Sequence, residues 1–287
     1  MVTYIQADSV KTVSDTLSHA AAAKGGDSGS SWILHHILDA NYLDFEPFGK
    51  IPLPQIHMFG MDLSITRHVV FMWLALVLLV LIFSKAAKSY RQSRIPKGMS
   101  NLMELMVVFV RDDIARPTIG KGHEKFLPYL LTVFFFILTG NFIGLFPYSA
   151  TFPSNISVTA TLATISFIVI QAGGIMKNGL FGYFKGLIPH GVPLWLLPVM
   201  FVVEILGLFT RPFALAIRLF ANMTAGHIVI LALLGLIFIL KTAFVAPVSI
   251  AFALFIYLLE ILVALIQAYI FTMLSSLFIG MAVHQEH

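Results

Sequence analysis

The chain has 287 residues, 58% of them hydrophobic and 11% charged, with a net charge of +4 and a mean hydropathy of +0.90. A soluble domain carries about 25% charged residues, so lipid is the solvent for most of this chain. The excess of cations does not imply nucleic acid, because their places along the chain account for them, and the absence of cysteine excludes disulfides, thiol catalysis and thiolate metal sites.

Residues 1–65 read as a polar tail. The first 60 residues hold three Lys against six Asp and Glu, a net of −3. Lys11 and Lys24 are followed by no apolar core of signal-peptide length. Lys24–Ser31 is a Gly/Ser stretch that reads as flexible. Pro47, Pro52 and Pro54 forbid a continuous helix there, so at most one short helix is expected, near Trp32–Leu38. His35, His36 and Asp39 have the residue types of a metal cluster, but a solvated tail helix is the better reading of them.

The first membrane span is predicted over 66–87, where Val69–Phe83 is unbroken apolar sequence. Lys85, Lys88, Arg91, Arg94 and Lys97 follow within 13 residues, a cytoplasmic mark that puts the tail outside. The region 88–125 is then a basic cytoplasmic loop and a helix. Met99, Leu102, Met103, Met106, Val110 and Ile114 recur at three- and four-residue intervals, with Glu104, Arg111, Asp112, Asp113 and Arg116 among them. Two readings fit: an amphipathic helix on the cytoplasmic surface, or a helix packed on other helices.

Two further spans are predicted within 126–178, over Phe126–Phe146 and Ile156–Met176, the second returning to Lys177 and Lys185. Residues 187–287 read as a hairpin of two long helices, about 193–240 and 245–283, each longer than an upright crossing needs and therefore strongly tilted. The fold class is an all-α integral membrane protein with about five membrane helices and one amphipathic surface helix. No repeat of useful period is present, which disfavours an inverted-repeat transporter.

Charges inside the last hundred residues carry the functional argument. Glu204, Arg211 and Arg218 recur every seven residues, close to two helical turns, and so share one stripe; Asn222 lies one turn beyond Arg218. On the next helix Glu260, Ala264, Gln267 and Phe271 form a matching stripe. An arginine at membrane depth costs at least about 2.5–3.5 kcal/mol and needs a counter-ion, water or a functional reason. If neither Glu204 nor Glu260 neutralises Arg218, the partner is water, lipid or another chain. A fixed guanidinium facing a carboxylate on another subunit favours its ionised form, and it bars a bare proton from passing. Glu204 has a second reading, a packing ion pair with Arg211. His227 and Glu260 have one as a buried structural pair, and Gln267 as a partner for nearby backbone.

The run Leu215–His227, sequence LAIRLFANMTAGH, with Arg211-Pro212 before it and Leu265–Phe271, sequence LIQAYIF, on the last helix, resembles subunit a of the F-type ATP synthase family. The similarity holds in order and spacing from about residue 33 to the C-terminus and weakens in the tail and at 148–156. The resemblance implies that Arg218 is the essential stator arginine facing the c-ring carboxylate, with Asn222 and Gln267 beside it. It implies His227 and Glu260 in the outer half-channel, with acid and imidazole exchanged relative to many members, and Glu204 on the inner exit path. Asn141 falls on a possible channel-lining position of the second span, whereas Gly144 is neutral where some members carry an acid.

The partners implied are the c-ring of subunit c, the peripheral-stalk subunit b, the remaining ATP synthase subunits and membrane lipid, with no nucleic acid. No cofactor and no metal are implied. No Walker-type loop is present, so the chain is expected to carry no catalytic site of its own. The expected location is a bacterial plasma membrane, with the N-terminus outside and the C-terminus cytoplasmic. A secondary transporter and a structural subunit of another respiratory membrane complex are the competing readings; the first would need a substrate cavity, usually between two related halves, and the second does not require Arg, Glu and His aligned at depth.

Overall fold

A computed structural model describes residues 42–45, 49–52, 54, 57–58, 61–62, 66–92, 98–146, 151–186, 196–240 and 245–284. The short helix expected near Trp32–Leu38 and the His35, His36, Asp39 group lie outside them. In the tail, β1 (Tyr42–Phe45) pairs antiparallel with β2 (Gly49–Pro52), Tyr42 opposite Pro52, and β3 (His57–Met58) pairs with β4 (Met61–Asp62). Among the described residues of this stretch none is helical, and Pro52 ends β2. The two small hairpins were not anticipated, because strands this short have no room for a period-two pattern.

Helix α1 (Arg67–Gln92) starts as expected and runs past the predicted end at residue 87 into the basic segment. Long Lys and Arg stems are good helix formers, so the helix does not stop where the apolar run does. After Gly98, α2 (Met99–Val108) passes into a π-helical stretch, Phe109–Ala115, and then α3 (Arg116–Ile119). The wider ring is visible in the Arg116 N–H, which bonds the carbonyl of Arg111. Val110, Ile114, Ala115 and Ile119 of this segment are buried in the core, while Met99, Leu102 and Leu105 stay exposed. Of the two readings of 98–116, packing on other helices describes its second half.

Helices α4 (Leu127–Gly144) and α5 (Ile156–Asn178) match the second and third expected spans to within two residues. Pro128 begins α4, where its missing N–H is not needed, and the side chain of Asn155 caps α5 by accepting from Ser157 N at 2.9 Å. A short α6 (Leu180–Gly186) follows Gly179. Then come α7 (Leu197–Leu240) and α8 (Val245–Val283), the two long helices expected. Pro212 lies inside α7, so Leu208 has lost its usual backbone donor and the helix continues around it. Among the described residues, five helices are long and apolar enough to cross a membrane: α1, α4, α5, α7 and α8.

The chain divides into two compact units. The larger comprises Asp39–Gly226 and Leu254–His287; the described part of the smaller falls within His227–Ala253. In the smaller unit the Ser249 hydroxyl donates to the Leu233 carbonyl, joining the end of α7 to the start of α8. In the larger unit one core cluster unites Val110 and Ile114, Leu130 to Leu138 of α4, Ile170 of α5, Leu215 and Leu219 of α7, and Phe271 and Ile279 of α8. The buried residues Phe134 and Phe135 stack edge to face at 5.3 Å. At the end of α4, Thr151 fills the space beside Gly144, where a Cβ would collide with the Thr151 Oγ1. An acid cannot be accommodated at Gly144 while Thr151 packs there.

Candidate functional site

Within the larger unit α7 and α8 run antiparallel, and three rungs set their register. The Arg211 guanidinium lies 5.4 Å from the Phe278 ring centre. Asn222 Nδ2 donates to Gln267 Oε1 at 2.8 Å. Gly226 faces Glu260 so closely that a Cβ there would stand 2.8 Å from Glu260 Oε1. These rungs put the two polar stripes read from the sequence side by side.

On α8 all four residues of the expected stripe turn inward: Glu260 is 5% exposed, Gln267 1%, and Ala264 and Phe271 not at all. The helical spacing alone predicts this shared face. The Glu260 carboxyl is thus buried beside a glycine, the residue that leaves most room for it. Asn141 of α4, also fully buried, donates from Nδ2 to the Ala264 carbonyl at 3.2 Å. It therefore joins the α8 stripe one turn from both Glu260 and Gln267.

On α7 the buried face is Leu215, Ala216, Leu219 and Met223. Arg218 lies beside that face and is exposed, as is Asn222. Among the described residues Arg218 enters no ion pair. On the same side of α7, about one turn away in either direction, stand Ala214 and Ala221, both apolar and exposed. Two turns earlier, Glu204 Oε2 approaches Arg211 Nη2 at 3.7 Å, with about a third of each side chain exposed. That is the packing pair foreseen as the second reading of Glu204, and at such exposure it contributes little stability. Tyr183 of α6 adjoins Arg211; burial pushes its hydroxyl above the ordinary range, so it remains a neutral donor.

The structure thus brings together Glu260, Asn141, Gln267 and Asn222, with Arg218 at their exposed edge, and separately Glu204 with Arg211. His227 is half-buried and opens the smaller unit. Sequence reasoning missed Gly226, whose value lies in its lack of a side chain opposite Glu260. It also missed a group of hydroxyls: Tyr129 and Ser166, 2.5 Å apart, with Ser275 near them. Each is a lone polar residue in an apolar helix, a signal too weak to single out. Among the described residues no group of acids and histidines could hold a metal ion.

The sequence family described as ATP synthase A chain matches residues 69–280. The chain is 58% identical over 259 residues to the ATP synthase subunit a of Chloroherpeton thalassium, covering 88% of this chain and 77% of that one. It is 52% identical over 276 residues to the ATP synthase subunit a of Chlorobium phaeobacteroides, covering 94% and 81%. To the ATP synthase subunit a of Myxococcus xanthus it is 51% identical over 229 residues, covering 79% and 75%. The matched span takes in α1 through nearly all of α8, including every residue of the polar seam, and the chain belongs to the ATP synthase A chain family.

Proposed function

We propose that this chain is the stator side of a rotary proton path, subunit a in the membrane sector of an F-type ATP synthase. It carries protons through two half-channels to and from a carboxylate on a ring of c subunits. The observation that carries the reading is Arg218: a guanidinium exposed on a membrane helix, bordered by apolar side chains, in no ion pair among the described residues. Its cost at depth, at least about 2.5–3.5 kcal/mol, calls for a counter-charge, and a carboxylate on another chain supplies it.

Protons enter from outside by way of Glu260 and His227, with Asn141 and Gln267 lining the route. They neutralise a rotor carboxylate, which can then turn into lipid. After nearly a full turn that carboxylate meets the inner half-channel near Glu204, where Arg218 favours its ionised form and the proton leaves inward. The Asn222–Gln267 hydrogen bond supports this reading, since it fixes α7 against α8 one turn from Arg218.

The chain takes no part in the ATP chemistry, which belongs to other subunits, and a peripheral stalk containing subunit b holds it still. The five cations from Lys85 to Lys97 support a cytoplasmic placement for that loop, with the N-terminus outside and the C-terminus inside. The bacterial relatives support a plasma membrane. The test is ATP-driven proton pumping in inverted vesicles bearing wild type or Arg218→Ala, with assembly shown to be equal. Loss of pumping with assembly intact is the expected result; undiminished pumping would make Arg218 structural and end the proposal.

A further inference from the structure

The inward face of α8 carries Glu260, Ala264, Gln267, Phe271 and Ser275 at about one turn each. Buried polar atoms lie on both sides of the phenylalanine. Toward the start of the helix, Gln267 Nε2 and Asn141 Oδ1 are buried with no hydrogen-bond partner among the described residues. Toward its end, the Tyr129 hydroxyl bonds Ser166 Oγ at 2.5 Å, and the buried Ser275 lies beside the same hydroxyl, within its hydrogen-bonding reach. Ser166 and Ser275 are both fully buried.

Other hydroxyls in these helices satisfy themselves on their own backbone. Thr161 donates to the Ser157 carbonyl, Thr164 to Ala160 and Thr272 to Ala268, each at 2.7–2.8 Å. Ser275 does not. It turns to the Tyr129 hydroxyl instead, whereas a buried polar atom such as Gln267 Nε2 or Asn141 Oδ1 is a water site wherever there is room. Two buried polar clusters therefore share one face of α8, and Gln267 and Ser275 are about 12 Å apart along its axis. Between them stands Phe271, with no exposed surface, packed in the cluster that contains Leu130, Ile137 and Leu138.

Proton transfer needs an unbroken series of donors and acceptors. An aromatic ring in an apolar constriction supplies none and excludes water. We infer that Phe271 is an insulating residue: its ring separates the Glu260–Asn141–Gln267 compartment from the Tyr129–Ser166–Ser275 compartment, and so stops protons running through the stator without turning the rotor. The separation is a property of this chain; only its consequence, the prevention of uncoupling, rests on the function proposed above.

The test uses vesicles holding the assembled complex, an imposed pH gradient and no ATP, with and without a carbodiimide that caps the rotor carboxylates. Phe271→Ser is expected to collapse the gradient severalfold faster than wild type even after capping, while Phe271→Leu holds it as wild type does. Wild-type retention by Phe271→Ser in both conditions overturns the inference. Failure of the rotary reading looks different: wild-type conduction that capping leaves untouched.

A second measurement does not depend on a disruptive change. Ser275→Cys is nearly isosteric in a chain that has no cysteine. In a complex without other reactive thiols, it is expected to react with silver ion from one membrane face only. Reaction from both faces with Phe271 in place, or from neither, refutes a wet compartment closed by that ring. If Phe271→Ser does not assemble, this measurement decides alone.

Discussion

At the residue scale, the contact between Gly226 and Glu260 shows how a residue with no side chain can belong to a polar site. A Cβ at Gly226 would stand 2.8 Å from the carboxylate, closer than side chains approach, so any substitution pushes Glu260 aside. Gly226→Val is expected to reduce ATP-driven pumping to a small fraction of wild type, and Gly226→Ala less severely, because one methyl group displaces a flexible carboxyl more easily than an isopropyl group does. Equal pumping by wild type and the valine variant would show that Glu260 need not sit where it does. Arg218 invites the opposite experiment. Exposed, and in no ion pair among the described residues, it is not held by the chain's own charges, so Arg218→Leu is expected to leave the thermal midpoint of the purified chain in detergent unchanged or higher. A clear drop in that midpoint would mean that Arg218 is an internal structural cation. Loss of function together with unchanged stability is the signature of a charge kept for a partner.

At the element scale, the segment from α2 to α3 has two faces with different duties. Val110, Ile114 and Ile119 pack into the main core, and Thr118 bonds Ser276 of α8 at 2.5 Å. Met99, Leu102 and Leu105 stay exposed. The apolar stripe in the sequence runs through both sets, because a regular helix period takes no account of the π-helical stretch, which turns the residues beyond it to a different side. Ile114→Ala, at a position with no exposure, is expected to destabilise by about 2–5 kcal/mol. Met99→Ala, at 57% exposure, is expected to change stability by less than about 0.5 kcal/mol. Thermal unfolding of both variants in detergent checks the pair; equal midpoints would contradict the packed face.

At the scale of the whole molecule, the five helices long and apolar enough to cross a membrane among the described residues, with α2–α3 between the first two of them in the chain, predict a specific topology. Lys121 follows α3 and precedes α4; Phe146 lies just beyond α4; Lys177 lies at the end of α5. All three are exposed. Single cysteines at Lys121 and Lys177 are expected to react with an impermeant thiol reagent from the same side of sealed vesicles, and one at Phe146 from the other. Labelling of all three from one side would mean that α4 and α5 do not cross.

Sequence alone determined the spans, since hydropathy summed over some twenty residues is local and a membrane tolerates little else. The long final helices, the seven-residue spacing of Glu204, Arg211 and Arg218, and the α8 stripe from Glu260 to Phe271 were all legible, because helical periodicity is a property of one segment at a time. The tail hairpins and the π-helical turn were not, since short strands and a single inserted residue leave no period to detect. Only the tertiary structure decided that Asn141 reaches the Ala264 carbonyl, that Gly226 abuts Glu260, and that Tyr129, Ser166 and Ser275 meet around one hydroxyl. These contacts join positions dozens of residues apart on different helices. Which lone polar residue finds which partner depends on how the helices pack, and no single segment contains that information.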